Sequence, residues 1–243
     1  MEKTIERTIG QIVADDYRSA AVFEKFGIDF CCNGNRSIEA ACEQKEVKVG
    51  ELKKALETAL TETTNATTDY NSWPLDLLAD YIEKKHHRYV EAKIPVLKQY
   101  LDKIVKVHGA QHPELQKINE LFMASAGEFT MHMKKEELML FPFIRKMVRA
   151  QNNDEPLDAP RFGTVKNPIQ TMMHEHDNEG ENFRQIEALS NNYTPPTDGC
   201  NTYKVTFALL KEFQDDLHIH IHLENNILFP KAEELEKQLE SSK

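Results

Sequence analysis

The chain has 243 residues, 40% of them hydrophobic and 29% charged, and its formal net charge is −10. A chain of this length can bury one substantial core and a small additional unit. The negative charge argues against a nucleic acid as partner, and no apolar run approaches the roughly 20 residues that a membrane span requires. The charged beginning MEKTIERTIG lacks the apolar segment of a secretory signal. We therefore expect a cytoplasmic protein that binds neither nucleic acid nor membrane.

The pattern of hydrophobic residues predicts an all-α protein. Only nine glycines and ten prolines interrupt the chain, and no segment alternates convincingly as a strand would. Residues 1–60 are predicted to form a small helical domain of three or four short helices, with breaks at Gly27, around residues 33–35 and near Gly50. The polar stretch TETTNATTDYNS, residues 61–72, is predicted to be a linker.

The remaining residues, 73–243, are predicted to form an up-down-up-down four-helix bundle. Helical periodicity indicates four long amphipathic helices at about residues 75–108, 114–150, 167–190 and 200–238. The connections between them are modest in length, which favours antiparallel neighbours.

A repeat within the bundle supports this prediction. The segment HMKKEELMLFP, residues 132–142, recurs as HIHLENNILFP, residues 220–230, so that His, Glu, Leu, Phe and Pro return 88 residues later (220 − 132). That offset equals two helices and their connections. Two similar helical hairpins related by a pseudo-two-fold axis would place the two His-x3-Glu pairs opposite each other.

The two His-x3-Glu pairs lie on inward stripes of their helices. His132 and Glu136 follow the spacing of three or four residues that also holds Ile118, Phe122, Ser125, Phe129, Met139, Phe143 and Met147. His220 and Glu224 share a stripe with Leu209, Phe213, Leu217 and Leu228. Buried imidazoles and carboxylates are costly unless they are paired or ligate a metal. A shared metal centre explains both pairs.

The other two helices offer further histidines. His176 lies on the apolar stripe of the third helix, whereas His174 faces water. In the first helix His86 and His87 compete: the residues that follow, from Val90 onward, align with His87, whereas the upstream residues favour His86. We choose His87. On the fourth helix, His218 and His222 are predicted to lie on a solvated face. Glu128 either orients His132 or lies at the surface.

With this choice, one inward histidine comes from each helix, at positions 87, 132, 176 and 220. Two histidines would bind each of two metal ions, and Glu136 and Glu224 would bridge them. An oxo, hydroxo or water ligand would complete the bridge. Mixed nitrogen and oxygen ligands suit iron, with manganese or zinc as alternatives.

The motifs resemble a known family. The bundle, with its ending LENNILFP, looks like a hemerythrin-like domain, and DFCCNG after FEKFG resembles the repair-of-iron-centres family of ScdA/YtfE-type di-iron proteins. The resemblance implies a di-iron centre with terminal ligands His87, His132, His176 and His220 and bridging ligands Glu136 and Glu224. It also implies a role in restoring iron–sulfur clusters damaged by nitric oxide or oxidants, so that damaged iron–sulfur proteins are the expected partners.

The sequence leaves three questions open. Cys31 and Cys32 are candidates for redox chemistry or iron transfer, although they could also be small side chains packed in a helical module. Cys42 and Cys200 are predicted to be inert. The favoured function is iron supply for cluster repair. The alternatives are a reductase for nitric oxide or peroxide at the same centre, or a non-catalytic sensor of oxygen or nitric oxide. The sequence leaves open whether the chain forms a homodimer.

Overall fold

Eight helices carry the fold of this computed structural model, which describes residues 7–61 and 68–241. The N-terminal helices are α1 (Ile9–Asp15), α2 (Arg18–Lys25), α3 (Ile38–Gln44) and α4 (Val49–Thr61). The long helices are α5 (residues 75–108), α6 (residues 114–153), α7 (Lys166–Leu189) and α8 (residues 201–241). No strand occurs in the described residues, and the all-α prediction is confirmed. Residues 62–67 of the predicted linker lie outside the described residues.

The four long helices form the predicted bundle, and each ends within a few residues of its predicted position. α6 packs against α5 and α7, and α5 packs against α8. Along the bundle, two apolar clusters are separated by a polar layer. One cluster contains Phe122, Phe183 and Phe213, and the other contains Phe141 and Phe229. The buried histidines and glutamates lie between them. No described helix is long and apolar enough to span a membrane.

Three of the long helices contain a π turn at the level of this polar layer: Ile82–His87 in α5, Glu136–Leu140 in α6 and Glu224–Leu228 in α8. In α6 and α8 the turn immediately precedes the Phe-Pro pair of the repeat. Proline has no N–H and its ring crowds the carbonyl four residues earlier. The phenylalanine N–H bonds instead to the carbonyl of the glutamate five residues before it. Two of the π turns thus coincide with the repeated Phe-Pro pair, and π turns are often found at functional sites.

The π turn in α6 corrects one sequence expectation. Met139 was predicted to face the core, but 47% of it is exposed, whereas its neighbour Leu140 is 1% exposed. A π turn inserts one extra residue into the helical repeat, so the inward stripe moves from Met139 to Leu140.

The N-terminal helices and their loops pack on the π turn of α8. The Asn226 side chain donates hydrogen bonds to the carbonyls of Phe30 and Cys31. The rings of Tyr17 and Phe30 each lie 5.8 Å from that of His222. His222 is therefore 1% exposed, and the prediction that it lies on a solvated face is wrong. A Cβ atom at Gly34 would overlap the Phe30 carbonyl, so glycine is needed for this close approach.

Candidate metal centre

Six buried side chains from four helices converge in the polar layer. They form two ligand groups, His87, Glu136, His220 and Glu224 in one, and His132, Glu136, His176 and Glu224 in the other. Within each group, the candidate ligand atoms lie within 4.8 Å of one another. Both groups contain the same two carboxylates. The structure thus brings together all six residues that the sequence singles out.

The separations fit ligands that share an ion. Glu136 Oε2 lies 3.3 Å from His87 Nε2 and 3.4 Å from His132 Nε2. Glu224 Oε2 lies 3.2 Å from His176 Nε2, and Glu224 Oε1 lies 3.0 Å from His220 Nε2. Two ligand atoms about 2.1 Å from one ion are about 3.0 to 3.4 Å apart for angles between about 90° and 110°.

Unpartnered polar atoms point to the same conclusion. Among the described residues, neither oxygen of Glu136 has a hydrogen-bond partner, and neither do Glu224 Oε2 and His87 Nε2, although all four atoms are buried. Burying such groups without partners is costly, and a metal ion bound between them would satisfy all of them. The donor set of imidazole nitrogens and carboxylate oxygens fits iron, manganese or zinc.

Three of the four histidines are oriented through their other ring nitrogen. The Nδ1 atoms of His87 and His132 lie 3.1 Å and 2.8 Å from carboxylate oxygens of Glu137 and Glu175. His176 Nδ1 donates to Asn225 Oδ1 at 2.9 Å when Nε2 is free to ligate. Such partners fix the tautomer and direction of a metal-binding imidazole.

Sequence reasoning missed these three partners. Glu128, which it considered for His132, is exposed, and Glu175 takes that position instead. Each partner directly adjoins a candidate ligand in the sequence but supports a histidine of a different helix. The sequence therefore offered one signal for these partners, a polar residue directly next to a candidate ligand.

The two carboxylates dominate the electrostatics of the metal-free site. Burial alone would lower the pKa of His87 and of His132, but the negative charges of Glu136 and Glu224 raise both pKa values to about 10. For Glu224, burial acts to raise the pKa, but His220, His176 and His87 hold it well below its usual range. The site therefore attracts cations, either protons or metal ions.

His86 and His87 are both buried, at 1% and 0% exposure. A π turn spaces residues closely around the helix axis, so two consecutive side chains share the inward side. Of these two histidines, only His87 belongs to one of the ligand groups found among the described residues. His86 Nδ1 instead bonds Asp216 at 3.0 Å, and its ring stacks on His220 at 5.5 Å. The geometry favours His87 as the ligand.

The cysteines occupy different environments. Cys31 is buried and Cys32 half-buried beside α7, where Cys32 Sγ lies 3.4 Å from the His176 carbonyl oxygen. Cys42 is buried on α3. Cys200 is exposed at the start of α8, where the Tyr203 N–H and then His108 lower its pKa to about 7. Cys200 therefore has the properties of a reactive thiol rather than an inert one.

Metal affinity is expected to fall on acidification from well above neutral pH. In the metal-free site, His87 and His132 hold protons up to a pKa of about 10, and each must lose its proton before Nε2 can ligate. Below that pKa, affinity should fall about tenfold per displaced proton for each pH unit. Competition with a chelator between about pH 9 and about pH 6 measures this, and a constant affinity would contradict histidine ligation.

Comparison with known proteins agrees with the geometry. Residues 78–232 match the family described as the hemerythrin HHE cation binding domain, and residues 5–60 match ScdA_N, a domain of unknown function. The fold and site thus define a hemerythrin-like cation-binding protein with an additional N-terminal helical region.

Relatives that match most of the chain define its family more closely. The chain is 30% identical over 227 residues to the iron-sulfur cluster repair protein YtfE of Musicola paradisiaca, covering 93% of this chain and 96% of the relative. It is 31% identical over 229 residues to ScdA of Staphylococcus haemolyticus, covering 94% and 98%. A probable iron-sulfur cluster repair protein of Haemophilus influenzae is 32% identical over 219 residues, covering 87% and 89%. The chain belongs to the YtfE/ScdA family of iron-sulfur cluster repair proteins.

Proposed function

We propose that the chain binds two iron ions, with His132 and His176 as terminal ligands of one and His87 and His220 of the other. Glu136 and Glu224 bridge the two ions, and an oxo or hydroxo group completes the bridge. The observation that carries this proposal is that both ligand groups share the same two buried carboxylates. Two metal ions, one in each group, would both be held by these two carboxylates.

The function that these residues support best is the repair of damaged iron–sulfur clusters by supply of iron. Relatives that match most of the chain are named for this repair. Fe²⁺ stands low in the Irving–Williams order, so a site of imidazole and carboxylate ligands releases it more readily than Cu²⁺ or Zn²⁺. The receiving partner is a protein whose cluster has lost iron. No described contact favours the nitric oxide, peroxide or sensor alternatives.

Iron transfer to a client tests this function. Protein loaded with isotopically labelled iron is mixed with an iron–sulfur enzyme whose cluster has lost one iron. We expect label in the client cluster and recovery of client activity, both absent with the Glu136→Ala variant. The exposed Glu120 on the same helix provides a matched control, since Glu120→Ala should transfer iron normally. Nitric oxide consumption by the same preparation, without any transfer of label, would favour a reductase.

We also propose that residues 1–60 and residues 73–243 are separate domains joined by residues 61–72. The two family matches, at residues 5–60 and 78–232, support this division. A cytoplasmic location is inferred from the four free cysteines, which are typical of a reducing compartment, and from the clients that the proposed repair requires.

A further inference from the structure

A cavity of about 250 Å³ lies between the loop after α2 and the helices α7 and α8. The loop contributes Asp29, Cys31 and Cys32, and the bundle contributes Gly180, Arg184 and His218. The two thiols are free, and both line the cavity. The cavity is separate from the six residues of the His/Glu centre.

The polar atoms of the loop have the spacing of metal ligands. Cys31 Sγ and Cys32 Sγ lie 3.7 Å apart, and Cys31 Sγ lies 3.3 Å from Asp29 Oδ1. The candidate ligand atoms of all three residues lie within 4.8 Å of one another. Two sulfurs about 2.3 Å from one tetrahedral ion are about 3.8 Å apart. We propose that Asp29, Cys31 and Cys32 form a second metal site for a thiophilic divalent cation, with the fourth position open to the cavity.

The surrounding contacts hold this site in place before any ion arrives. Asp29 Oδ1 accepts the backbone N–H groups of Cys31 and Cys32 at 3.1 and 3.0 Å. Asp29 Oδ2 accepts hydrogen bonds from the Asn33 side chain and from Arg184 on α7. The same backbone turn thus positions the carboxylate and both thiols, so little ordering is required on binding.

The opposite wall leaves room for sulfur. A Cβ atom at Gly180 would lie 2.9 Å from Cys32 Sγ, closer than a side chain normally permits. Binding of a divalent cation displaces both thiol protons to solvent, and the Cys31 thiol proton then no longer occupies Asp29 Oδ1. That oxygen keeps its two backbone hydrogen bonds, and the side that the thiol proton leaves faces the ion. Thiolate ligands select soft or borderline cations over Mg²⁺ and Ca²⁺.

The thiol site adjoins the His/Glu centre through two contacts. Cys32 Sγ lies 3.4 Å from the His176 carbonyl oxygen. The Asn225 amide donates to the Cys31 carbonyl at 3.3 Å, while its Oδ1 accepts from His176 Nδ1. The site therefore lies where Fe²⁺ released from the His/Glu centre could be received. That physiological role rests on the proposed function, whereas cation binding at the thiols does not.

Titration with Cd²⁺ tests the site on the full chain, loaded with iron and kept reduced with a phosphine. Thiolate ligands give Cd²⁺ a charge-transfer band in the ultraviolet, which histidine and carboxylate ligands do not. Because exposed Cys200 could also bind Cd²⁺, the Cys200→Ser variant is titrated in parallel. We expect one Cd²⁺ per chain with the full band in Cys200→Ser, and loss of the band when Cys31→Ser or Cys32→Ser is added to Cys200→Ser.

Two further variants leave both thiols in place. Asp29→Asn keeps the oxygen that accepts the backbone N–H groups but removes its charge, and it should weaken Cd²⁺ binding by about 10- to 100-fold. Gly180→Ala should displace Cys32 and weaken binding by about tenfold. A full band that survives when Cys31→Ser is added to Cys200→Ser, no band in Cys200→Ser, or unchanged affinity in both further variants would overturn the proposal. Iron content and iron transfer, measured separately, report on the proposed function alone.

Discussion

Replacing Glu136 or Glu224 with alanine is expected to empty both metal positions rather than one. Each carboxylate belongs to both ligand groups, so its loss removes an oxygen ligand from each ion and the negative charge that attracts both. Iron content should fall from close to two per chain to near zero. Metal analysis after anaerobic reconstitution measures this directly.

The Glu137→Gln variant is the control for Glu136→Ala and Glu224→Ala. Glu137 contacts His87 Nδ1 without belonging to either ligand group, so its loss should weaken the affinity by about 10- to 100-fold while iron still binds at saturation. Helical content should be unchanged in all three variants, because metal loss leaves both apolar clusters intact. Retention of one tightly held iron in Glu136→Ala would mean that the carboxylate does not bridge.

A shortened chain that begins at Trp73 is expected to retain iron but to lose stability and repair activity. All six candidate ligands lie beyond this point, and so do the histidine partners Glu137, Glu175 and Asn225. The loss of stability follows because the N-terminal region shares an apolar cluster with the bundle and covers His222. Repair should fail because the thiols of Cys31 and Cys32 are absent.

Thermal unfolding, iron content and client reactivation distinguish these effects. In the full chain, Gly34→Ala should reproduce the loss of stability, because the added methyl group overlaps the Phe30 carbonyl. Gly127→Ala on α6 is the matched control, since nothing lies within 4 Å of its Cβ position. If the shortened chain repairs clusters at the full rate, the N-terminal region has no part in the function. If it binds no iron, the proposed boundary or ligand set is wrong.

The sequence by itself determined the helices and the contents of the polar layer. Hydrophobic residues at helical spacing gave the limits of α5 to α8 to within a few residues, because each helix must bury one continuous stripe. The repeat placed His132, Glu136, His220 and Glu224 on such stripes, where isolated ionisable groups are costly. The apolar stripe of α7 likewise predicted that His176 faces the core. These inferences needed only local periodicity, which is encoded within each helix.

Tertiary structure decided what depends on contacts between helices. The π turn in α5 buries both His86 and His87, so periodicity could not separate them, and the converging ligands favour His87. His222 looked solvated because nothing within α8 covers it; Tyr17 and Phe30 do so from the N-terminal region. The cluster of Asp29, Cys31 and Cys32 likewise gained its cavity and its link to His176 only through packing. Such contacts join residues far apart in the chain, and no local spacing predicts them.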